Sequence, residues 1–423
     1  MSHDRVPSDR GRPPGGPQPG GRQPGGRDER PVLVVGGGPA GLATAAALRA
    51  AGVRAVVLER GARVGDSWRR HYDGLRLHTP RGMSGLPGTP LPRRYGRWVG
   101  RDELAHYLEE YAEGHELEIV HNVEVARVDR AGSGSGSGSA SGPGPGSGSG
   151  SGSGPGWTVA ATGGRVLDGR RVVVATGYCH TPYVPDWPGR DTYRGELLHA
   201  AHYRNPAPYE GKDVLVVGGG NTGAEIAVEL AAGGAQRVRL AVRTLPHVVR
   251  RPAAGWCAAA GRRLSGALPA RTVDRLAGRV SRIGVPDLGA YGLPRPASGL
   301  YTRLREGAVP VVDTGLVAAV RDRRVLPVPA VAALDGDGVI LADGDRAEPD
   351  VVIAATGWRR GLEELVGHLD VLDARGLPRA RRWRSPEGAR GLHFVGFAGP
   401  VSGSLREIGA EAGELAREVA GES

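Results

Sequence analysis

The fold turns on two stretches, PVLVVGGGPAGLATAAALRAAGVRAVVLER from Pro31 to Arg60 and DVLVVGGGNTGAEIAVELAAGGAQRVRLAVR from Asp213 to Arg243. In each, a short apolar run meets a Gly-rich turn, an apolar-periodic helix follows, and a second apolar run ends in charge. Each copy is followed downstream by a strand ending in Ala-Thr-Gly-aromatic: RVVVATGY (Arg171–Tyr178) and DVVIAATGW (Asp350–Trp358). A duplication with matching grammar at both ends predicts an α/β chain with two doubly wound, Rossmann-like dinucleotide-binding domains.

Gly36, Gly38 and Gly41 form G-x-G-x-x-G between the first run and its helix. The first glycine permits the tight turn, the second lets the backbone approach a pyrophosphate, and the third lets helix and strand pack closely. The helix N-terminus then offers free N–H groups and a positive dipole end to the phosphates. Glu59 closes the next strand, where a carboxylate accepts hydrogen bonds from a ribose 2′-OH and repels a 2′-phosphate. This site is expected to take FAD or NAD. Gly218, Gly220 and Gly223 repeat the fingerprint, with Arg243 at the strand end where the first copy has Glu59. An Arg there either pairs with the 2′-phosphate of NADP or is a solvated strand-end charge. Asn221 and Thr222 fill variable positions of the second fingerprint, lining the nucleotide channel or stabilising the turn. One acidic-ended and one basic-ended module predict NADPH reducing a bound flavin.

The length of 423 residues suits two domains plus a tail. Residues 1–29 carry almost nothing apolar and read as a disordered tail. Residues 132–156 are nearly all Gly and Ser, a flexible loop by composition. Strand-like runs on either side, Glu118–Val128 and Trp157–Ala161, place it at the tip of an overgrown hairpin. The net charge of +10 is scattered and nearly all Arg, with Lys212 the only Lys. No basic segment carries interleaved aromatics, which argues against nucleic acid; the charge still favours anionic ligands. Cys179 and Cys257 stand far apart, which argues against a disulfide framework, a zinc ribbon or a dithiol centre. His199 and His202 lack further ligands nearby, so no metal is expected. No apolar run reaches the ~18–20 residues of a membrane span, and the N-terminus lacks the apolar core of a signal peptide. A cytoplasmic protein without membrane partners is expected.

The segment GARVGDSWRRHYDGLRLHTPRG (Gly61–Gly82) has no Cys, so the dithiol chemistry of disulfide reductases built on two such modules is ruled out. YRGELLHAAHY (Tyr193–Tyr203) fits the FxGxxxHxxxY pattern of flavin-containing monooxygenases, with Tyr193 in place of Phe and Gly195, His199 and Tyr203 matching. Asp73–Pro92, Val216–Ala227, Val242–Arg251, Val309–Val328 and ATGW (Ala355–Trp358) resemble the YUCCA-type branch of these class B flavin monooxygenases. The similarity runs from about residue 31 to 415, the Gly/Ser loop excepted.

The resemblance implies an NADP-binding domain (208–357) inserted in a split FAD-binding domain (30–207 and 358–423). It implies that NADPH reduces FAD, that the reduced flavin adds O2 as a C4a-hydroperoxide, and that bound NADP shields this species from water. The product is then an oxygenated small organic molecule. His199 and Tyr203 are expected in the hinge beside the nicotinamide nucleotide, His78 and Thr79 beside the flavin, and Trp68 packed near it. Of these, His199, Tyr203 and Thr79, together with Asn221, are the candidate catalytic residues. The competing readings are domain-junction packing for His199 and Tyr203, a strand end for LRLHTP, and core for Trp68.

Amine- and sulfide-oxidising members carry Asn at the place of Thr79; the YUCCA-type branch also lacks it. Baeyer–Villiger members usually carry Trp at the place of Tyr203. Gly391–Val419 reads as a strand, a Gly-rich turn and an amphipathic helix capped by Ser402 or Ser404. That helix either points at the flavin pyrimidine or is a terminal packing helix. Substrate candidates are an aryl 2-oxo acid, oxidatively decarboxylated, and an amine or sulfide. An NADPH-dependent flavin reductase or oxidase that releases hydrogen peroxide, and a nucleotide-sensing module, are the other classes. Oligomeric state stays open, a homo-oligomer included.

Overall fold

Strand β1 (Val32–Val35) is buried at every position, as a strand covered on both faces requires. A computed structural model describes residues 29–132, 156–251, 272–275, 285–380, 382–397 and 404–422. After β1 come α1 (Pro39–Ala50) and β2 (Ala55–Leu58), then two helices, α2 (Asp66–Arg69) and α3 (Arg101–Gly114), and β3 (Glu118–Val120). β4 (Val125–Arg130), β5 (Trp157–Ala161) and β6 (Val166–Gly169) form an antiparallel sheet. β7 (Arg171–Val174) rejoins β1, and β8 (Thr181–Pro182) leaves the first module.

β9 (Glu196–His199), β10 (Asp213–Val217), α4 (Asn221–Ala232) and β11 (Arg237–Ala241) open the second module. β12 (Val248–Arg250) pairs with β13 (Val311–Asp313); α5 (Leu316–Arg321) and β14 (Leu326–Val328) follow. An antiparallel trio, β15 (Val331–Asp335), β16 (Gly338–Leu341) and β17 (Arg346–Ala347), precedes β18 (Val351–Ala354). β19 (Trp358–Arg359), α6 (Leu362–Val366), β20 (Leu392–Phe394) and α7 (Ser404–Gly421) return the chain to the first module.

The two main sheets are parallel and share one layout, β20-β7-β1-β2-β3 and β14-β11-β10-β18-β9. The duplication seen in sequence is therefore a duplication of topology, with the second unit lying between β7 and β20. The first core joins Leu42 and Leu48 of α1, Leu104 and Tyr107 of α3, and Leu415 and Val419 of α7. Burying each such side chain stabilises the fold by about 1.5–3 kcal/mol.

Three expectations need correction. The run Glu118–Val128 is two strands in different sheets, because Asn122 takes the left-handed conformation (φ 56°) and turns the chain between β3 and β4. The hairpin itself holds: β4 and β5 pair antiparallel with Arg130 opposite Trp157. LRL near Leu75 is no strand end; only Arg76 forms an isolated bridge, to Gly100. β9, on the first-domain side of a division at residue 208, hydrogen-bonds with β18 in the second sheet. Residues 1–28 and 133–155, Cys257, Ser402 and the side chain of Ser404 lie outside the described residues. Among the described residues no helix is long and apolar enough to cross a membrane.

Candidate active site

The two Gly-rich turns share the hydrogen bond that ties each to the end of its second strand. Gly36 N–H donates to Leu58 O (2.9 Å) and Gly218 N–H to Ala241 O (3.0 Å). Gly36 (φ 108°) and Gly218 (φ 132°) take conformations that L side chains avoid. A Cβ on Gly41 would overlap the Gly36 carbonyl, and one on Gly223 the Gly218 carbonyl. Gly38 and Gly220 differ: a Cβ on either would meet nothing within 4 Å. These two glycines begin α1 and α4, and neither helix has a side-chain cap. Each turn thus pairs uncapped N–H donors with open space over the backbone, which fits a pyrophosphate.

The strand ends distinguish the ligands. Both carboxylate oxygens of Glu59 are held by backbone N–H groups, from Gly37 and Gly61, each at 2.6 Å. Since Leu58 corresponds to Ala241, the residue in the place of Glu59 is Val242, whose side chain lies against Gly219 as that of Glu59 lies against Gly37. Arg243 falls one position later, in the place of Arg60, and is exposed. The alignment of Arg243 with Glu59 is corrected by one residue, to Val242. The chemistry keeps its direction: a neutral Val removes the carboxylate that repels a 2′-phosphate, and a guanidinium stands beside it.

The modules are joined by two crossings lying side by side, β8 and β19, which pair antiparallel. His199 ends β9 at this junction. Its Nε2–H donates to Gly357 O (3.0 Å), and its Nδ1 accepts from Ala201 N–H (3.0 Å). Both ring nitrogens are engaged, so the tautomer is fixed. Burial lowers its pKa, which keeps the ring neutral. The ring meets the edge of Trp358 at 5.1 Å; Trp358 meets His71 at 6.4 Å, and His71 meets Trp68 at 5.9 Å. A chain of rings therefore spans from α2 to the exit of the second module. Burial, then the nearby Arg204 and Arg101, lower the His71 pKa.

The other predicted residues disperse. Thr79 bonds Ser84 through its hydroxyl (2.7 Å). Tyr203 is wholly buried, stacks on Tyr209 and donates to Glu229 (3.1 Å). Asn221 turns away from the second turn's open space: Nδ2 donates to Pro310 O (3.0 Å) and Oδ1 accepts from Val312 N–H (2.7 Å), tying α4 to β13. Thr222 is half-buried in the first turn of α4. His78 Nε2 lies 2.6 Å from Glu225 Oε1.

Sequence reading missed the partners of these groups, Glu225 and Glu229. Glu225 is buried and Glu229, one turn on, is half-buried, and desolvation raises Glu229 to about 7. The available signal was two carboxylates four residues apart in an otherwise apolar helix, AEIAVEL.

A family model described as flavin-binding monooxygenase-like matches residues 29–258. Indole-3-pyruvate monooxygenase YUCCA1 of Oryza sativa subsp. japonica is 33% identical over 371 residues, 86% of each chain. The probable indole-3-pyruvate monooxygenase YUCCA3 of Arabidopsis thaliana is 32% identical over 86% of this chain and 81% of its own. Among solved structures, the flavin-containing monooxygenase from Stenotrophomonas maltophilia superposes with a TM-score of 0.66 at 26% identity, over 93% of this chain and 98% of its own. With two nucleotide cradles, only the first of them closed by a strand-end carboxylate, and no cysteine pair beside it, the chain belongs to the flavin-binding monooxygenase-like family, an oxidoreductase that uses FAD and NADPH.

Proposed function

We propose that the chain oxidatively decarboxylates an aryl 2-oxo acid. The observation that carries this reading is the indole-3-pyruvate monooxygenases at 32–33% identity along 86% of the chain. The balanced reaction joins the 2-oxo acid, O2, NADPH and a proton to give the acid one carbon shorter, carbon dioxide, NADP+ and water. FAD, when bound, supplies the two-electron chemistry between NADPH and oxygen.

The chain's own residues divide the remaining work. Gly36, Gly38, Gly41 and the uncapped start of α1 hold the FAD pyrophosphate, with Glu59 placed for its ribose. Gly218, Gly220, Gly223 and the start of α4 hold that of NADPH, with Thr222 alongside and Arg243 placed for the 2′-phosphate. His199 has no free nitrogen for proton transfer, and its role is to fix the turn at Gly357. Trp68, His71 and Trp358 wall the junction against water.

The test is incubation of the FAD-loaded protein with NADPH, O2 and indole-3-pyruvate, with a small amine and a sulfide in parallel. Appearance of the shortened acid and carbon dioxide in step with NADPH use is expected. An N-oxide or sulfoxide with no decarboxylation would replace this reading; hydrogen peroxide matching NADPH with every substrate would point to an oxidase.

A further inference from the structure

The segment Tyr72–His78 belongs to the first module, yet side chains of the second hold it. Glu225 Oε2 accepts from the Tyr72 hydroxyl (2.5 Å), and Glu225 Oε1 pairs with His78 Nε2 (2.6 Å). Glu225 is 7% exposed, so this fork lies in the interface. One helical turn on, Glu229 comes so close to Gly74 that a Cβ there would overlap its carboxylate. Arg251, just past β12, donates to Leu77 O (3.2 Å) and lies 4.5 Å from the ring centre of Trp98. Burial, then the Glu225 charge, raise the Tyr72 pKa, so its hydroxyl stays a donor.

Glu225 lies in the first turns of α4, the helix that begins at Gly220. The segment it grips runs directly into Thr79 and Pro80. One carboxylate therefore links the helix that carries the nicotinamide nucleotide to the loop that leads to the flavin side. We propose that Glu225 is a positioning residue for hydride transfer: its fork on Tyr72 and His78 sets the second module's orientation and the course of Leu77–Pro80. Its carboxylate is taken up by Tyr72 and His78, outside both Gly-rich turns, and the proposal is independent of the substrate reading.

A Glu225→Leu variant leaves both partners unpaired. A Glu225→Gln variant keeps the shape: its carbonyl accepts from Tyr72, and its amide donates to His78 Nε2 once the imidazole proton moves to Nδ1. In FAD-loaded protein, Glu225→Leu is expected to slow limiting flavin reduction by NADPH roughly 10- to 100-fold, the scale of a small misplacement. NADPH affinity should stay within about threefold, since the cradle at Gly220 is untouched. Hydrogen exchange at Tyr72–Thr79 should rise, and Glu225→Gln should restore both readouts. If Glu225→Leu does not accumulate, Tyr72→Phe combined with His78→Leu removes the same bonds from the other side and should show the same split. Unchanged reduction, unchanged exchange at Tyr72–Thr79, or a loss of affinity as large as the loss of rate would overturn the proposal.

Discussion

Replacing Gly220 with Ala should abolish tight NADPH binding while leaving FAD in place. An added methyl meets nothing within 4 Å in the protein alone, and the backbone there (φ −88°, ψ −179°) suits any residue. The fold should therefore lose no more than about 1 kcal/mol, the scale of an altered helix cap. The same methyl occupies the space the pyrophosphate must enter. Forcing the phosphates back from the start of α4 costs at least one charge-assisted N–H bond, worth about 1.5–3 kcal/mol, or roughly 10- to 150-fold in affinity. Anaerobic titration with NADPH, read by flavin bleaching, measures the affinity, and the flavin absorbance of the purified protein is the internal folding control. Gly223→Ala is the contrast: its Cβ would overlap the Gly218 carbonyl and crowd Ala355 Cβ at 3.3 Å, so expression and thermal stability should fall. Wild-type affinity for NADPH in Gly220→Ala, or loss of FAD along with NADPH, would refute the assignment of the second cradle.

Three further outcomes follow from single groups. Arg243→Ala should raise the NADPH Kd about tenfold and leave NADH unchanged, the scale of one charge-assisted contact; equal effects on both nucleotides would mean that Arg243 does not meet the 2′-phosphate. Glu229 is raised to about 7 from 4.5, so its favourable term is full below pH 4.5 and lost as pH rises through 7. Glu229→Gln should therefore leave melting unchanged at pH 4.5 and raise it at pH 8 by a few degrees, about 1 kcal/mol after solvent screening; parallel melting curves at the two pH values would count against it. Glu59→Gln can accept from Gly37 or Gly61 but not both, so it should lower the melting temperature and weaken FAD retention on dilution, with NADPH affinity intact.

The fold was legible because each module's strands are short, mostly apolar and followed by the same glycines, features that hydrophobic patterning records directly. The strand-end assignment slipped by one residue because charge was matched to charge, Glu59 to Arg243; only the hydrogen bonds from Gly36 and Gly218 anchor the comparison. The candidate site was less legible. Asn221 sits inside the fingerprint, yet its amide is taken up by β13, because a planar group with one donor face and one acceptor face matches the backbone groups along a strand edge. Tyr203 matches a motif, but its hydroxyl is needed by a buried carboxylate 26 positions on, a pairing no local pattern encodes.

That carboxylate pairing bears on how two equivalent modules become one site. Each nucleotide cradle is complete within its own sheet, so binding alone needs no particular angle between modules. Hydride transfer does, since the reacting atoms must approach within about 3–3.5 Å. The paired crossings β8 and β19 share only two residue pairs, too little backbone to fix an angle. The angle must therefore come from side chains: the ring chain Trp68–His71–Trp358–His199 on one side, and the carboxylates of α4 on the other. Buried carboxylates cost desolvation and are tolerated where their hydrogen bonds are satisfied. For Glu225 those bonds run to Tyr72 and His78 of the first module, so the cost of burying it is offset only when the modules are docked. The same residue that would weaken an isolated second module thus favours its seated orientation.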